Sequence, residues 1–314
     1  YITDNSTGTA FSSAGTGTGP NLTLSAVGNI GTDNPAGGAF AGGNTDGTLT
    51  IDVGSVTVSA SANVNITDTG VRGDTIYDIT TGGAGNITVT QTTNDILLGA
   101  ISTTGAASFT ASVAAIDDAT AGADGITDIT AATVDLNSAL GIGGTNAVEL
   151  AATTITADNS TSGNVDIDNA LAGAVTVTTL TTAGAGTILF QNAGAGGVSF
   201  GTVSTTTDGS AADGEDDIRL SSDGGDLTIT TSVTADGLGD IIYDTTTSGD
   251  IELTGTSTAG ALVTMNSVGD IDGAGLVTAP TVDLNAATGI GATTPLELAA
   301  TTITADNSTS GNVD

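Results

Sequence analysis

Short stretches in which β-branched or leucine residues alternate with polar residues recur along the whole chain. The stretch from Ile87 to Thr90 alternates in this way, and so do Val175 to Thr178 and Leu227 to Thr230. Successive side chains of a strand point to opposite faces, so a period of two predicts half-buried β-strands. No stretch combines helical apolar spacing with a cap and a stop, and we therefore expect an all-β fold.

Most of these stretches begin at a Gly followed by Asn, Asp or a small residue. Examples are Gly85-Asn86, Gly163-Asn164 and Gly249-Asp250. Gly and Asn tolerate left-handed backbone conformations, so the pattern predicts a turn before each strand. The starts from Gly225 to Gly269 are 9 to 14 residues apart, which gives about one strand every ten residues.

A much longer repeat is superimposed on this short period. Residues 134–166 recur as residues 282–314 at an offset of 148, with 27 of 33 positions identical. The first eight residues are a looser copy of residues 155–163. We interpret residues 1–153 and 154–301 as two long repeats and 302–314 as the start of a third, within a longer repetitive protein.

Short strands at this spacing fit either a series of β-sandwiches or a parallel β-helix, also called a β-solenoid. Small interior residues and the absence of long connections favour the solenoid. We predict about 20 residues per coil and about 15 coils. Between Tyr77 and Val134 lie 18 more residues than between Tyr243 and Val282, which predicts one additional coil in the first repeat.

Composition narrows the possible functions. The chain has no His, Cys or Lys and only two basic residues, Arg72 and Arg219. A catalytic triad, a Schiff base and an imidazole-bound metal are therefore excluded, and we expect no enzyme activity. The net charge of −33 argues against nucleic acid as a partner, and no apolar run has the ~20 residues of a membrane helix.

The unit from Gly85 to Thr90, the coil of about 20 residues and the lack of Cys resemble the repeat region of filamentous-haemagglutinin-like bacterial exoproteins. Those proteins are giant surface adhesins with right-handed parallel β-helices, so the resemblance implies a solenoid at the cell surface. The regular 148-residue repeat suits long archaeal or bacterial surface fibres and S-layer-associated proteins equally well.

Acidic side chains point to calcium as a candidate cofactor. All but four of the 35 acidic residues are Asp, the short carboxylate common in Ca²⁺ loops. Five of them fall within ten residues, without matching an EF-hand or a β-roll nonapeptide. The predicted ligands are Asp208, Asp213, Glu215, Asp216 and Asp217. Asp-rich turns that only interact with solvent are the alternative.

Three Asn-x-Ser/Thr sequences occupy equivalent positions in successive repeats. They begin at Asn5, Asn159 and Asn307, and they are the best candidates for glycosylation. The alternative is that such triplets arise by chance in a chain this rich in Thr.

The sequence as a whole predicts an extracellular structural β-solenoid that forms the shaft of a cell-surface fibre or giant adhesin. Its partners would be further copies, or the continuation of the same chain. The alternative is an adhesin module that binds carbohydrate or a cell surface through loops between coils. Residues 33–46 and 208–217 are the candidate loops for that role.

Overall fold

The computed structural model describes residues 11–12, 21–31, 49–71, 73–120, 125–207 and 217–314. Within these ranges the chain contains 28 strands and no helix, so it has no helix that could cross a membrane. The strands group into two compact units, Tyr1–Ala151 and Ala152–Asp314. Every strand pairing in either unit is parallel across the described ranges, so the predicted parallel β-solenoid is confirmed.

Eleven strands lie within the described part of the first unit, and β12 begins at its end. They are β1 Phe11–Ser12, β2 Asn21–Ala26, β3 Leu49–Asp52, β4 Ser55–Ala60, β5 Val64–Asp68, β6 Thr75–Thr81, β7 Ile87–Gln91, β8 Ile96–Ser102, β9 Ala106–Ala111, β10 Ile116–Asp118 and β11 Ile129–Ser138.

The second unit holds most of β12 and the remaining strands. They are β12 Val148–Asn159, β13 Val165–Asn169, β14 Val175–Ala185, β15 Ile188–Asn192, β16 Val198–Thr207, β17 Ile218–Gly224, β18 Leu227–Ala235, β19 Ile241–Ser248, β20 Ile251–Leu253, β21 Thr256–Ala259, β22 Leu262–Ser267, β23 Asp270–Asp272, β24 Leu276–Thr278, β25 Thr281–Ala286, β26 Gly289–Ile290, β27 Glu297–Ala299 and β28 Thr302–Asn307.

Alternation along each strand separates the core from the surface. In β7, Ile87 and Val89 are buried whereas Thr88 is exposed. Strands pair with those one turn later, with local register shifts in several pairs, so interior side chains stack in columns. Val56, Tyr77 and Leu98 form one such column in the first unit. Removal of these columns from water is the main favourable term in folding.

About 11 turns of about 22 residues each are observed, fewer and longer than the predicted 15 coils of about 20 residues. The turns differ in length. Ile188 pairs with Ile218 one turn later, whereas Val263 pairs with Val282, so the first of these turns is much the longer. A solenoid accommodates this variation because each turn contacts only its neighbours, and extra residues extend the connections between strands.

The identical segments of the long repeat occupy different columns of the second unit. Ile155 pairs with β14, whose column ends at Val313. Its copy Ile303 lies in a second column. This column runs through Val165, on the strand that follows the strand of Ile155, and reaches Ile303 after six pairing steps. The two copies are therefore displaced from each other by six and a half turns. Copies of one sequence face two different sides of the stack.

The prediction of one additional coil in the first repeat is wrong, because here too the difference is not a whole turn. Two turns separate Tyr243 from Leu284 in a single column. In the first unit, two turns lead from Tyr77 to Asp118, and Val134 then follows on the next strand, in a different column. The 18 additional residues of the first repeat are therefore accounted for by about half a turn and by the long connection between β10 and β11.

A polar side chain at or near the end of a strand often fixes the turn that follows. Its side-chain hydroxyl or amide donates a hydrogen bond to the carbonyl oxygen of a Gly four residues later, with donor–acceptor distances of 2.7–3.1 Å. Examples are Thr81 to Gly85, Asn159 to Gly163, Asn192 to Gly196, Thr245 to Gly249 and Asn307 to Gly311. The recurrent Gly is therefore the hydrogen-bonding partner of the preceding strand as well as a turn residue.

The Asn or Asp after that Gly joins successive turns. Asn86 N donates to Asn63 Oδ1 at 2.8 Å. In the same way Asp250 N donates to Asp226 Oδ1 at 3.0 Å, and Asp270 N donates to Asp250 Oδ1 at 2.8 Å. Each side chain satisfies a backbone N–H of the next turn, which explains why Asp and Asn interchange at this position.

Candidate functional site

The predicted calcium loop lies almost entirely outside the described residues. This applies to Asp208, Asp213, Glu215 and Asp216. Asp217 is described and is buried at 5% exposure. Asp240 N donates to its Oδ2 at 3.3 Å, so the Asp217 carboxylate contacts the backbone of the next turn.

The predicted glycosylation positions fall in different environments. Asn5 lies outside the described residues. Asn159 is 2% exposed, and its Nδ2 donates to Ser162 O, Gly163 O and Thr182 Oγ1. A glycan would attach to Nδ2, and in this structure that atom is buried and donates to these three acceptors. Asn307 is partly exposed, and its Nδ2 donates to Gly311 O at 3.0 Å.

Three carboxylates that the sequence interpretation did not select meet inside the first unit. Asp118 ends β10, Asp128 directly precedes β11, and Glu149 is the second residue of β12. Each offers an oxygen within 4.8 Å of the other two, and their exposures are 4%, 5% and 8%. We call these three residues the acidic triad.

Register explains the burial of Asp118. Its Cα pairs with that of Leu98, which in turn pairs with Tyr77, so Asp118 continues an interior column. Thr120 N donates to Asp118 Oδ1 at 2.9 Å. Asp118 Oδ2 is buried and accepts no hydrogen bond from the described residues.

Backbone pairing holds the other two members of the triad together. Asp128 N donates to Glu149 O at 2.8 Å, and Glu149 N donates to Asp128 Oδ2 at 2.9 Å. Burial is the main reason why the pKa of Asp128 rises to about 9. The hydrogen bond from Glu149 N opposes this rise, whereas the nearby carboxylates of Asp118 and Glu149 add to it.

No basic side chain of the first unit is available to compensate this charge within its described ranges. Buried like charges are costly unless a proton or a cation neutralises them. Carboxylate oxygens are the ligands that hard cations such as Ca²⁺ and Mg²⁺ prefer. The triad therefore has the chemistry of a cation site.

A second buried acid, Asp68, shows how the same fold satisfies a carboxylate with its own donors. Gly70 N donates to Oδ1 at 2.8 Å, and Oδ2 accepts bonds from Thr75 Oγ1 at 2.9 Å and from the Tyr77 hydroxyl at 3.0 Å. Burial still raises the pKa of Asp68, and the Asp52 carboxylate adds to the rise. With donors on both oxygens, Asp68 is a structural anchor for Tyr77.

Arg219 forms an ion pair with Asp244 on the second unit. Its Nη2 lies 2.7 Å from Asp244 Oδ2, and Asn266 Nδ2 donates to Asp244 Oδ1 at 2.8 Å. The Arg219 side chain is half exposed. This geometry is that of a local charge-compensating pair.

Raised carboxyl pKa values predict that the protein gains stability as the pH falls from 8 to 5. Burial raises the pKa of Asp68, Asp168 and Glu252, and the neighbouring carboxylates Asp223 and Asp272 add to the rise for the last two. At pH values above the unfolded pKa values, the folded state therefore binds more protons than the unfolded state. The stabilisation from these carboxyl groups is fully present below their pKa values in the unfolded state, near 3.8 for Asp and 4.5 for Glu. It is lost as the pH rises through their pKa values in the folded state.

Urea unfolding at constant ionic strength, at pH 5 and pH 8, measures this effect. We expect a higher midpoint at pH 5, and the measurement stays above the isoelectric point of 4.1. A midpoint that falls between pH 8 and pH 5, as in proteins whose carboxylates are stabilised by ion pairs, would contradict the prediction.

Comparison of the chain with protein-family models, with curated proteins and with solved structures gives no match. The sequence and the geometry above are therefore the basis for a functional assignment.

Proposed function

We propose that the chain is a structural β-solenoid segment that forms part of the shaft of an extracellular fibre or giant adhesin. The observation that carries the proposal is the uniform construction of both units. Each consists of parallel turns stacked in register, with continuous interior columns and side-chain ladders between turns. Such stacking has no natural size limit and suits a load-bearing element.

The half-turn displacement of the long repeat supports this function. The segment around Ile155 and its copy around Ile303 face different sides of the second unit. A surface that repeats on two sides has no preferred binding side, as a shaft requires. The net charge of −33 adds to this, since self-repulsion keeps acidic surfaces soluble and separate.

The same proposal treats the chain as non-enzymatic. Its support is the composition, which lacks His, Cys and Lys. Nucleophilic and acid–base catalysis most often depend on those side chains.

A carbohydrate-binding function is the second candidate, because the second unit has a groove of about 260 Å³ lined by Asn266, Asn285, Asp306 and Ser308. Asn285 Nδ2 donates to Asn266 Oδ1 at 3.0 Å, and Asn266 Nδ2 donates to Asp244. The donors of the groove are thus partly engaged with each other, which favours the shaft. Specific binding on a glycan array, lost in Asn285→Ala, would favour the groove instead.

Immunogold electron microscopy of the source cells tests the proposed location. An antibody against the purified chain should label filaments outside the cell, with gold particles along their length. Labelling confined to the cell interior, or to isolated particles, would contradict the proposal.

A further inference from the structure

We propose that the acidic triad of Asp118, Asp128 and Glu149 is a Ca²⁺ site. The ion would join both ends of the connection between β10 and β11 to the start of β12. This site lies in the first unit and includes none of residues 208–217.

The first support is the burial of Asp118 in a column of large side chains. Tyr77 and Leu98 occupy the two preceding positions of that column. An interior carboxylate at the third position is 4% exposed, and its Oδ2 has no donor among the described residues. A bound cation supplies the missing partner.

The contrast with Asp68 strengthens this point. Both carboxylates of this comparison are interior residues at the end of a strand. Asp68 is surrounded by three donors from Gly70, Thr75 and Tyr77. Asp118 is instead surrounded by two further carboxylates, an arrangement that calls for positive charge.

Burial favours Ca²⁺ over Mg²⁺, and the separations are compatible with Ca²⁺. The triad oxygens lie within 4.8 Å of one another. Opposite oxygens around Ca²⁺ are about 4.6–5.2 Å apart, since each Ca–O bond is about 2.3–2.6 Å long, and the Ca²⁺ shell tolerates irregular geometry. Mg²⁺ retains several waters, and side chains that are at most 8% exposed leave little space for them.

The position of the triad indicates what the ion would do. Asp118 and Asp128 flank a connection within one turn, because β10 and the start of β11 both pair with β8. Glu149 lies one turn further, where its carbonyl accepts from Asp128 N. Ca²⁺ would fix the two ends of this connection against the following turn. The expected consequence is local: protection of β10, the start of β11 and the start of β12.

The long repeat provides a matched control for the test. Residues 149–166 and 297–314 are identical in sequence, and they begin with Glu149 and Glu297. Glu297 is exposed and pairs with Leu276, away from the triad. Glu149→Gln and Glu297→Gln are therefore the same substitution followed by the same local sequence, with only the first at the proposed site.

The experiment uses the chain stripped of metal with a chelator and then titrated with CaCl₂ at pH 7.5, with hydrogen exchange followed by mass spectrometry. About 1 mM Ca²⁺, within the range of extracellular calcium modules, should slow exchange in peptides covering residues 116–118, 128–136 and 148–152. Glu149→Gln and Asp118→Asn should weaken this Ca²⁺ effect about ten-fold or more, since each ligand supplies both charge and an oxygen. Glu297→Gln should leave it unchanged.

Thermal unfolding with and without Ca²⁺ gives a second readout, which distinguishes a Ca²⁺ ligand from a residue that only stabilises the fold. In chelator, the neutral variants Glu149→Gln and Asp118→Asn should be as stable as the unmodified chain or more so, because they remove buried like charge. In Ca²⁺ they should be less stable. Absence of Ca²⁺ protection in these peptides up to 10 times that concentration, or equal losses in Glu149→Gln and Glu297→Gln, would overturn the proposal.

Discussion

Replacing Phe200 with alanine is expected to lower the free energy of unfolding of the second unit by about 3–5 kcal/mol. Phe200 is fully buried and stacks in register between Val177 and Ile229 of the adjoining turns. Its ring meets that of Phe190 edge to face, at 5.3 Å between centroids and 89° between planes. The substitution removes this contact and leaves a cavity that small β-branched neighbours cannot fill.

Chemical denaturation with hydrogen exchange as a local readout measures the loss. Exchange should increase most in the strands on either side of Phe200, because each turn of a solenoid is stabilised by its neighbours. Leu238→Ala is the control: Leu238 is 58% exposed, and its truncation should cost no more than about 0.5 kcal/mol. A loss below about 1 kcal/mol for Phe200→Ala would show that the core is not packed as described.

Gly249→Ala should cost about 2–5 kcal/mol, the sum of backbone strain and a steric clash. Gly249 has φ of 111°, and a Cβ at this position would lie 2.2 Å from Gly225 O in the preceding turn. The strand ladder holds Gly225 in place, because Gly225 N donates to Ser248 O and Leu227 N donates to Asp250 O. Neither turn can move without breaking these bonds.

Gly73→Ala separates the two contributions. Gly73 has a similar φ of 127°, but no described atom lies within 4 Å of the position that its Cβ would take. We expect about 1–2 kcal/mol for this variant, from strain alone. Urea unfolding of both variants gives the comparison. Equal losses at the two positions would show that the close approach between turns contributes nothing.

The alternation of apolar and polar residues was sufficient to predict the strands and their parallel stacking. Ile87 and Val89 point inward and Thr88 outward, as a period of two requires. Gly followed by Asn or Asp correctly marks the turns. These are local properties, and local properties are visible in a sequence.

Turn length and the fate of the long repeat could not be predicted in the same way. A strand every ten residues indicates two strands per turn, but connections such as that between Ile188 and Ile218 lengthen single turns. The long repeat suggests equivalent environments for Ile155 and Ile303. Whether a repeat contains a whole number of turns depends on the sum of all connections, so the half-turn emerges only from the pairing.

Polar residues inside the solenoid were missed because their burial depends on register. Asn159 resembles an exposed glycosylation sequence, yet it lies at the inward end of β12 and binds Gly163 O. Asp118 does carry a local signal. It shares the inward parity of Ile116, which is unusual for a carboxylate. The convergence of Asp118 with Asp128 and Glu149 requires the three-dimensional stack.

Electron cryo-microscopy of the assembly isolated from the cell surface tests the shaft function most directly. We predict continuous filaments in which strands lie across the filament axis and successive turns are separated by about 4.7–4.9 Å, the spacing of paired strands. Discrete particles of fixed size, or filaments in which the strands run along the axis, would contradict a shaft built from stacked solenoid turns.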